Sequence, residues 1–311
     1  MFVVYSPDYH FVTLGDHVFP MLKYEAVHRE LRARAGFQFL EPEPASWTDL
    51  ALVHTAEFLR KIRTNTLTAM EIRRLELPWS MRVMEQLRIM TGGTLAAARA
   101  AIEPSSGGIA GNIGGGFHHA FDDHGEGFCL FNDVALAIRL LQRDGRIQRA
   151  AVIDCDAHHG NGTAALFQRD ARVFTFSMHA EHNYPAFKPR GSLDIGLETG
   201  IGDREYLDHL RGALPDVLAS RPEIAFYVAG GDVHREDQIG GLGLTSAGAR
   251  ERDRLVLTAC RDAAVPVVIV LAGGYPRSLD TLVEIHCATF EEGRALHQSD
   301  TSDGLQIDNL T

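Results

Sequence analysis

Six stretches of the chain are apolar runs rich in Val, Ile and Ala, at residues 2–5, 108–113, 150–156, 173–178, 224–229 and 265–271. Several lack in–out alternation, as expected of strands buried on both faces, which predicts a parallel sheet with helices on each side. Helical patterns fall between them at 18–34, 81–102, 133–142, 203–219, 246–262 and 278–296. The 81–102 stretch is Ala-rich and carries Gly92 and Gly93 in its interior, and Thr245-Ser246 offers a cap to the helix that follows. The strand–helix alternation predicts one doubly wound α/β domain. Residues 42–52 and 178–194, with Pro44, Pro185 and Pro189, read as loops. The tail 298–311 is polar and acidic and reads as frayed.

Composition narrows the partners. The 311 residues carry 30 Lys and Arg against 41 Asp and Glu, a formal net charge of −11. That balance offers no basic stripe to phosphates, so nucleic acid is not expected as a partner. It suits a cationic or lysine-bearing ligand. The cysteines, Cys129, Cys155, Cys260 and Cys287, are widely spaced and form no C-x-x-C. This argues against a disulfide framework and for a reducing, cytoplasmic location. No apolar run reaches about 18 residues, so no membrane span is expected. The first ten residues lack the basic and long apolar regions of a signal peptide.

Four polar motifs follow predicted strands. Asp154-Cys155-Asp156-Ala157-His158-His159 closes the third run. Alternate residues of a strand share a face, so Asp154, Asp156 and His158 can point one way. Two carboxylates and an imidazole together make a poor core unless a cation sits among them, and mixed O and N ligands suit Zn²⁺. A solvated strand end is the plainer alternative. Gly114-Gly115-Gly116-Phe117-His118-His119 ends the second run, and two adjacent imidazoles beside a metal can act as base and electrostatic partner. Asp232 follows 224–229, and Tyr275, after Gly273-Gly274, follows 265–271; a Tyr hydroxyl can polarise a carbonyl. Open α/β sheets collect their chemistry at the carboxyl ends of strands, where all four motifs lie.

Taken together the motifs GGGFHHA (114–120), GFCLFND (127–133), VIDCDAHHGNG (152–162), FSMH (176–179), AGGDVHREDQIGGLGLT (229–245) and LAGGY (271–275) resemble the histone deacetylase superfamily, of arginase–deacetylase fold. The opening HVFPMLKY (17–24) and the compact length are most similar to class IV deacetylases and their bacterial relatives. The resemblance implies an open parallel sheet of about eight strands in one deacetylase domain over 1–297. It implies one catalytic Zn²⁺ on Asp156, His158 and Asp232, with a water as fourth partner. His119 would be general base and then acid. His118 would stay more cationic, oriented by Asp154, and Asn161 would stand behind His119. Tyr275 would donate to the carbonyl oxygen. Gly127, Phe128, Tyr184 and Gly274 would contact the substrate, an acyl-lysine protein or peptide carrying acetyl or a longer fatty acyl group. A structural K⁺ would sit near Asp154, Ser177 and Met178. A small acylated amine such as a polyamine is the alternative substrate, and a binuclear arginase-like site the alternative chemistry. No counterpart is evident for the rim aspartate with which many lysine deacetylases grip the substrate backbone; Pro78-Trp79-Ser80 is the segment read as able to shape the rim.

Overall fold

The computed structural model describes residues 1–303 other than Thr13 and Asp16, with side chains described as far as Leu296. Eight strands form one sheet: β1 (Phe2–Val4), β2 (Gln38–Leu40), β3 (Ile109–Asn112), β4 (Ala150–Asp154), β5 (Val173–Ala180), β6 (Leu193–Leu197), β7 (Ala225–Val228) and β8 (Val267–Val270). Their order is β2-β1-β3-β8-β7-β4-β5-β6, and every pairing is parallel. The central strands β3, β8, β7 and β4 are buried at every position, which is why their sequences are unbroken apolar runs. The edge strand β6 alternates between half-buried and exposed until its last residue.

The helices are α1 (Lys23–Arg32), α2 (Trp47–Leu50), α3 (Ala56–Arg63), α4 (Ala69–Leu75), α5 (Met81–Ala101), α6 (Asp133–Arg143), α7 (Asn161–Phe167), α8 (Asp203–Ala219), α9 (Ser246–Asp262) and α10 (Leu279–Asp303). α8, α9, α10 and α1 pack in series as one layer; α5, α6, α2 and α7 form the other. Gly92 and Gly93 let α5 lie directly against the Glu43 carbonyl and the Tyr9 hydroxyl, where a methyl group would collide. α5 opens on Ser80, whose hydroxyl accepts from the Val83 N–H, and α9 on Thr245, which accepts from Gly248.

Several boundaries differ from the sequence expectation. The first helix begins at Lys23 rather than 18, because Pro20 falls in a turn that wraps Phe19 into the core. Region 42–52 holds α2, capped by Ser46, and region 178–194 holds the end of β5 and the start of β6. α10 runs on through residues expected to fray, as far as Asp303; residues 304–311 of that tail lie outside the described residues. All four cysteines are free and buried. No helix among the described residues is long and apolar enough to cross a membrane.

Candidate active site

The site forms where β3, β4, β7 and β8 end side by side. After β3 the chain turns through the triple glycine, and Asp133 at the start of α6 holds that turn. Its carboxylate accepts from the N–H groups of Gly116 (2.9 Å) and Phe117 (2.7 Å) and from the Thr94 hydroxyl (2.5 Å). This fixes His118 and His119, both buried, with ring centroids 4.1 Å apart.

The two imidazoles have different partners. His118 Nδ1–H donates to Asp154 Oδ2 at 2.7 Å, and its Nε2 lies 3.8 Å from Asp156 Oδ1. Burial alone would depress His118, but the charges of Asp154 and Asp156 outweigh it and raise its pKa to about 9. His119 Nδ1 meets the neutral Asn161 Oδ1 at 2.7 Å. Burial, followed by the charges of His118 and His158, holds His119 well below the ordinary imidazole range. The surroundings therefore favour the charged form of His118 and the neutral form of His119.

β4 stops at Asp154, so the strict alternation expected through His158 does not persist. Asp154 turns to His118, while Asp156 and His158 meet Asp232, which arrives on a 3-10 turn after β7 (Gly231–Val233). His158 Nδ1 lies 3.2 Å from Asp156 Oδ1 and 3.1 Å from Asp232 Oδ2. Ligand atoms of the three residues fall within 4.8 Å of one another, and all three are buried. Backbone N–H groups occupy other carboxylate positions: Gly273 donates to Asp156 Oδ2 and Ala157 to Asp232 Oδ1, each at 2.9 Å. Burial and the charge of Asp156 push the Asp232 carboxyl up to about 7. Two carboxylates desolvated together face one imidazole nitrogen, a donor set and spacing that fit a divalent ion such as Zn²⁺.

A cavity of about 420 Å³ descends to this group, lined by His17, Val18, Glu76, Phe128, Tyr184 and Ile239 above and by His119, His158 and Tyr275 below. Gly127 forms part of the wall with φ of 52°, and an added methyl there would sit 2.8 Å from the His119 ring and 2.9 Å from Tyr184. Phe128 and Tyr275 meet edge to face at 5.8 Å, and Tyr184 lies across from them against His119 at 5.0 Å. Adjoining the cavity beside Asp156 and His158 is a chamber of only about 20 Å³, bounded also by Phe19, Tyr24, Phe117, Cys129, Ala272 and Gly273. Burial raises the Tyr275 hydroxyl well above its ordinary pKa, so it stays a donor. Gly274 packs on Leu282 and Gly231, while its neighbours Gly273 and Tyr275 face the chamber.

Side-chain oxygens read as potassium ligands have partners already. Asp154 and Ser177 lie level in the β4–β5 register, with Met178 buried beside them. Asp154 accepts from His118 and from the Asp156 N–H, and Ser177 Oγ bonds His179 Nδ1 at 3.0 Å.

Glu76, Glu126 and Lys23 are among the charged residues near the site that the sequence reading did not single out. Glu76, left-handed at φ of 56°, ends α4 at the cavity mouth, where its carbonyl accepts from His17 Nε2 at 2.8 Å. Trp79, by contrast, turns to Asn65. Glu126 accepts from Asn161 Nδ2 at 2.7 Å. Lys23, fully buried, donates to the Ala272 carbonyl at 2.7 Å, and burial lowers its pKa to about 8. The GEGF spacing and the KY at the start of α1 were the only hints, and neither has a periodic signal.

An open all-parallel sheet with helices on both faces, carrying at its carboxyl edge an imidazole pair and a buried Asp–His–Asp group able to hold a metal ion, has the layout of a hydrolase of the deacetylase type. The histone deacetylase domain model matches residues 17–290, and the chain belongs to the histone deacetylase family. An uncharacterised protein of Picosynechococcus sp. is 40% identical over 95% of this chain and 99% of its own length. Histone deacetylase 2 of Arabidopsis thaliana is 33% identical over 89% of this chain and 75% of its own. The acetoin utilization protein AcuC of Bacillus subtilis is 28% identical over 87% and 76% respectively.

Proposed function

We propose that the chain is a zinc-dependent lysine deacylase that hydrolyses the amide of an acylated lysine side chain in a protein or peptide. The observation that carries this reading is the convergence of Asp156, His158 and Asp232 with His118, His119 and Tyr275 at the foot of one narrow cavity. Its aromatic walls, Phe128 and Tyr184, suit an aliphatic lysine stem, and Glu76 at the mouth is a carboxylate able to accept from a substrate backbone N–H. The chamber of about 20 Å³ has room for roughly one water-sized group, so we propose an acetyl or similarly short acyl group rather than a long fatty chain. The single Asp–His–Asp group among the described residues favours one metal over an arginase-like pair.

Asp156, His158 and Asp232 would hold Zn²⁺, which when bound would supply Lewis acidity at the foot of the cavity and lower the pKa of a water there from about 15.7 toward about 7. His119, bare at Nε2, would take a proton from the attacking water as its oxygen bonds to the acyl carbon, and pass it to the amine nitrogen as the C–N bond breaks. Cationic His118 and the Tyr275 hydroxyl stabilise the negative charge that develops on the carbonyl oxygen. The products are a carboxylic acid and a free lysine amine. Class IV membership, a cytoplasmic location and a K⁺ beside Asp154, Ser177 and Met178 belong to the same reading.

A panel of lysine peptides bearing acetyl to myristoyl groups, with N-acetylated diamines alongside, tests it under chelation and metal add-back. The expected result is hydrolysis of acetyl-lysine that chelator abolishes and about one Zn²⁺ per chain restores. No turnover of any acylated lysine sinks the proposal, and preference for the diamines moves the substrate to small amines.

A further inference from the structure

A histidine acts as base only through a nitrogen without a proton. Neutral His119 has two tautomers, and only the one protonated at Nδ1 leaves Nε2 bare toward the cavity. Its Nδ1 meets Asn161, the first residue of α7, at 2.7 Å. An amide alone does not choose between the tautomers. With Oδ1 toward His119 it accepts from Nδ1–H; turned over, it offers N–H and places the imidazole proton on Nε2. A carboxylate does choose, because it only accepts. Glu126 Oε1 stands 2.7 Å from Asn161 Nδ2, so the amide nitrogen must face Glu126 and the amide oxygen must face His119. Glu126 is itself held: its N–H donates to the Cys129 carbonyl at 3.0 Å, its carbonyl accepts from Cys129 N–H at 2.9 Å, and His124 Nε2 lies 3.6 Å from its other oxygen.

We propose that Glu126 is a positioning residue for His119, acting through Asn161 to lock the imidazole in the tautomer that is bare at Nε2. His118 has its carboxylate in direct contact; His119 has one set back behind an amide, which orients the ring without pairing it to a charge. This rests on His119 being the base of the reading above.

The experiment exchanges the two roles. Asn161→Asp alone brings two carboxylates into contact and breaks the chain of donors and acceptors. Adding Glu126→Gln restores it, with the amide now behind and the carboxylate in front. Asn161→Asp and Glu126→Leu are each expected to lower kcat by about 10–100-fold with little change in KM. The Asn161→Asp, Glu126→Gln double variant is expected to recover about tenfold over Asn161→Asp, a coupling that a merely structural Glu126 would not give. Nitrogen-15 NMR of histidine-labelled holoprotein, with His119 assigned by its loss in His119→Asn, is expected to show one tautomer in the parent and a mixture in Glu126→Gln and in Glu126→Leu. A double variant no better than Asn161→Asp, or a single His119 tautomer in Glu126→Leu, overturns the proposal. The tautomer is read without turnover. If the parent protein cleaves no acyl-lysine, the deacylase reading fails while the NMR arm still decides the role of Glu126.

Discussion

Asp237 accepts the backbone N–H of Tyr275 at 2.6 Å and bridges to Pro276, so the turn that carries Tyr275 is held by the loop that follows Asp232. The same carboxylate accepts from Ile239 and Gly240 at 2.9 and 2.8 Å, tying the cavity rim to the Tyr275 turn. Asp237→Ala should lower kcat by about 10–100-fold, as loss of a supporting contact behind a reacting group does. Tyr275→Phe should cost about 10²–10³-fold with zinc content unchanged. Steady-state kinetics with metal analysis checks both; full activity in Tyr275→Phe removes the hydroxyl from the mechanism.

Arg252, fully buried on α9, joins the two loops that carry the Asp–His–Asp group. Its Nη1 donates to the Gly230 carbonyl at 2.6 Å and to the Cys155 carbonyl at 3.2 Å, while its other nitrogens pair with Asp253. Arg252→Met leaves Asp253 as a buried charge without its cation, and about 3–5 kcal/mol of stability should be lost. Denaturant unfolding measures this, and a variant as stable as the parent would show that Tyr227 and Thr289, which also donate to Asp253, suffice.

His54 predicts an acid limb in stability. Its ring is buried and neutral, donating from Nδ1 to the Phe121 carbonyl (3.0 Å) and accepting at Nε2 from the Asn132 N–H (3.2 Å). Burial holds its pKa at about 4 against an ordinary 6.5, so the unfolded chain binds this proton more readily than the folded one. The stabilisation is complete above pH 6.5 and is lost as the pH falls toward 4, with about 3 kcal/mol at stake. Unfolding free energies at stepped pH should fall across that window in the parent and more gently in His54→Gln. Equal slopes would assign the acid limb to other groups.

Gly127→Ala should close the cavity. Its left-handed backbone strains any side chain, and the added methyl reaches the His119 and Tyr184 rings. Displacing His119 by a fraction of an ångström or more should cost up to about 10²-fold in kcat/KM on acetyl-lysine peptide. Unchanged kinetics would place the substrate path elsewhere.

The strands that carry the chemistry were legible because burial on both faces forces an unmixed apolar run, as in residues 150–153, followed at once by acids and histidines that no core would keep. The edge strands were not, because Gln38–Leu40 is three residues long and Leu193–Leu197 starts inside the Pro185- and Pro189-bearing stretch 178–194 that reads as a loop. The short helices α2 to α4 are set by caps and tertiary contact rather than by a long periodic face. Lys23 was invisible for a different reason: a buried lysine looks in sequence like any surface lysine. Glu126 and Glu76 sit in turns, where an acid is ordinarily solvated, and only their neighbours across the fold give them a task.

β8 lies between β3 and β7 and supplies the hydrogen-bonded seam between β2-β1-β3 and β7-β4-β5-β6. The imidazole pair follows β3, on one side of that seam, and the Asp–His–Asp group follows β4 and β7, on the other. During synthesis residues 267–270 leave the ribosome after all the other strands. A nascent polypeptide still lacking them has the His118–His119 pair and the Asp–His–Asp group on two unjoined half-sheets, so the two parts of the site come together only after that strand is made.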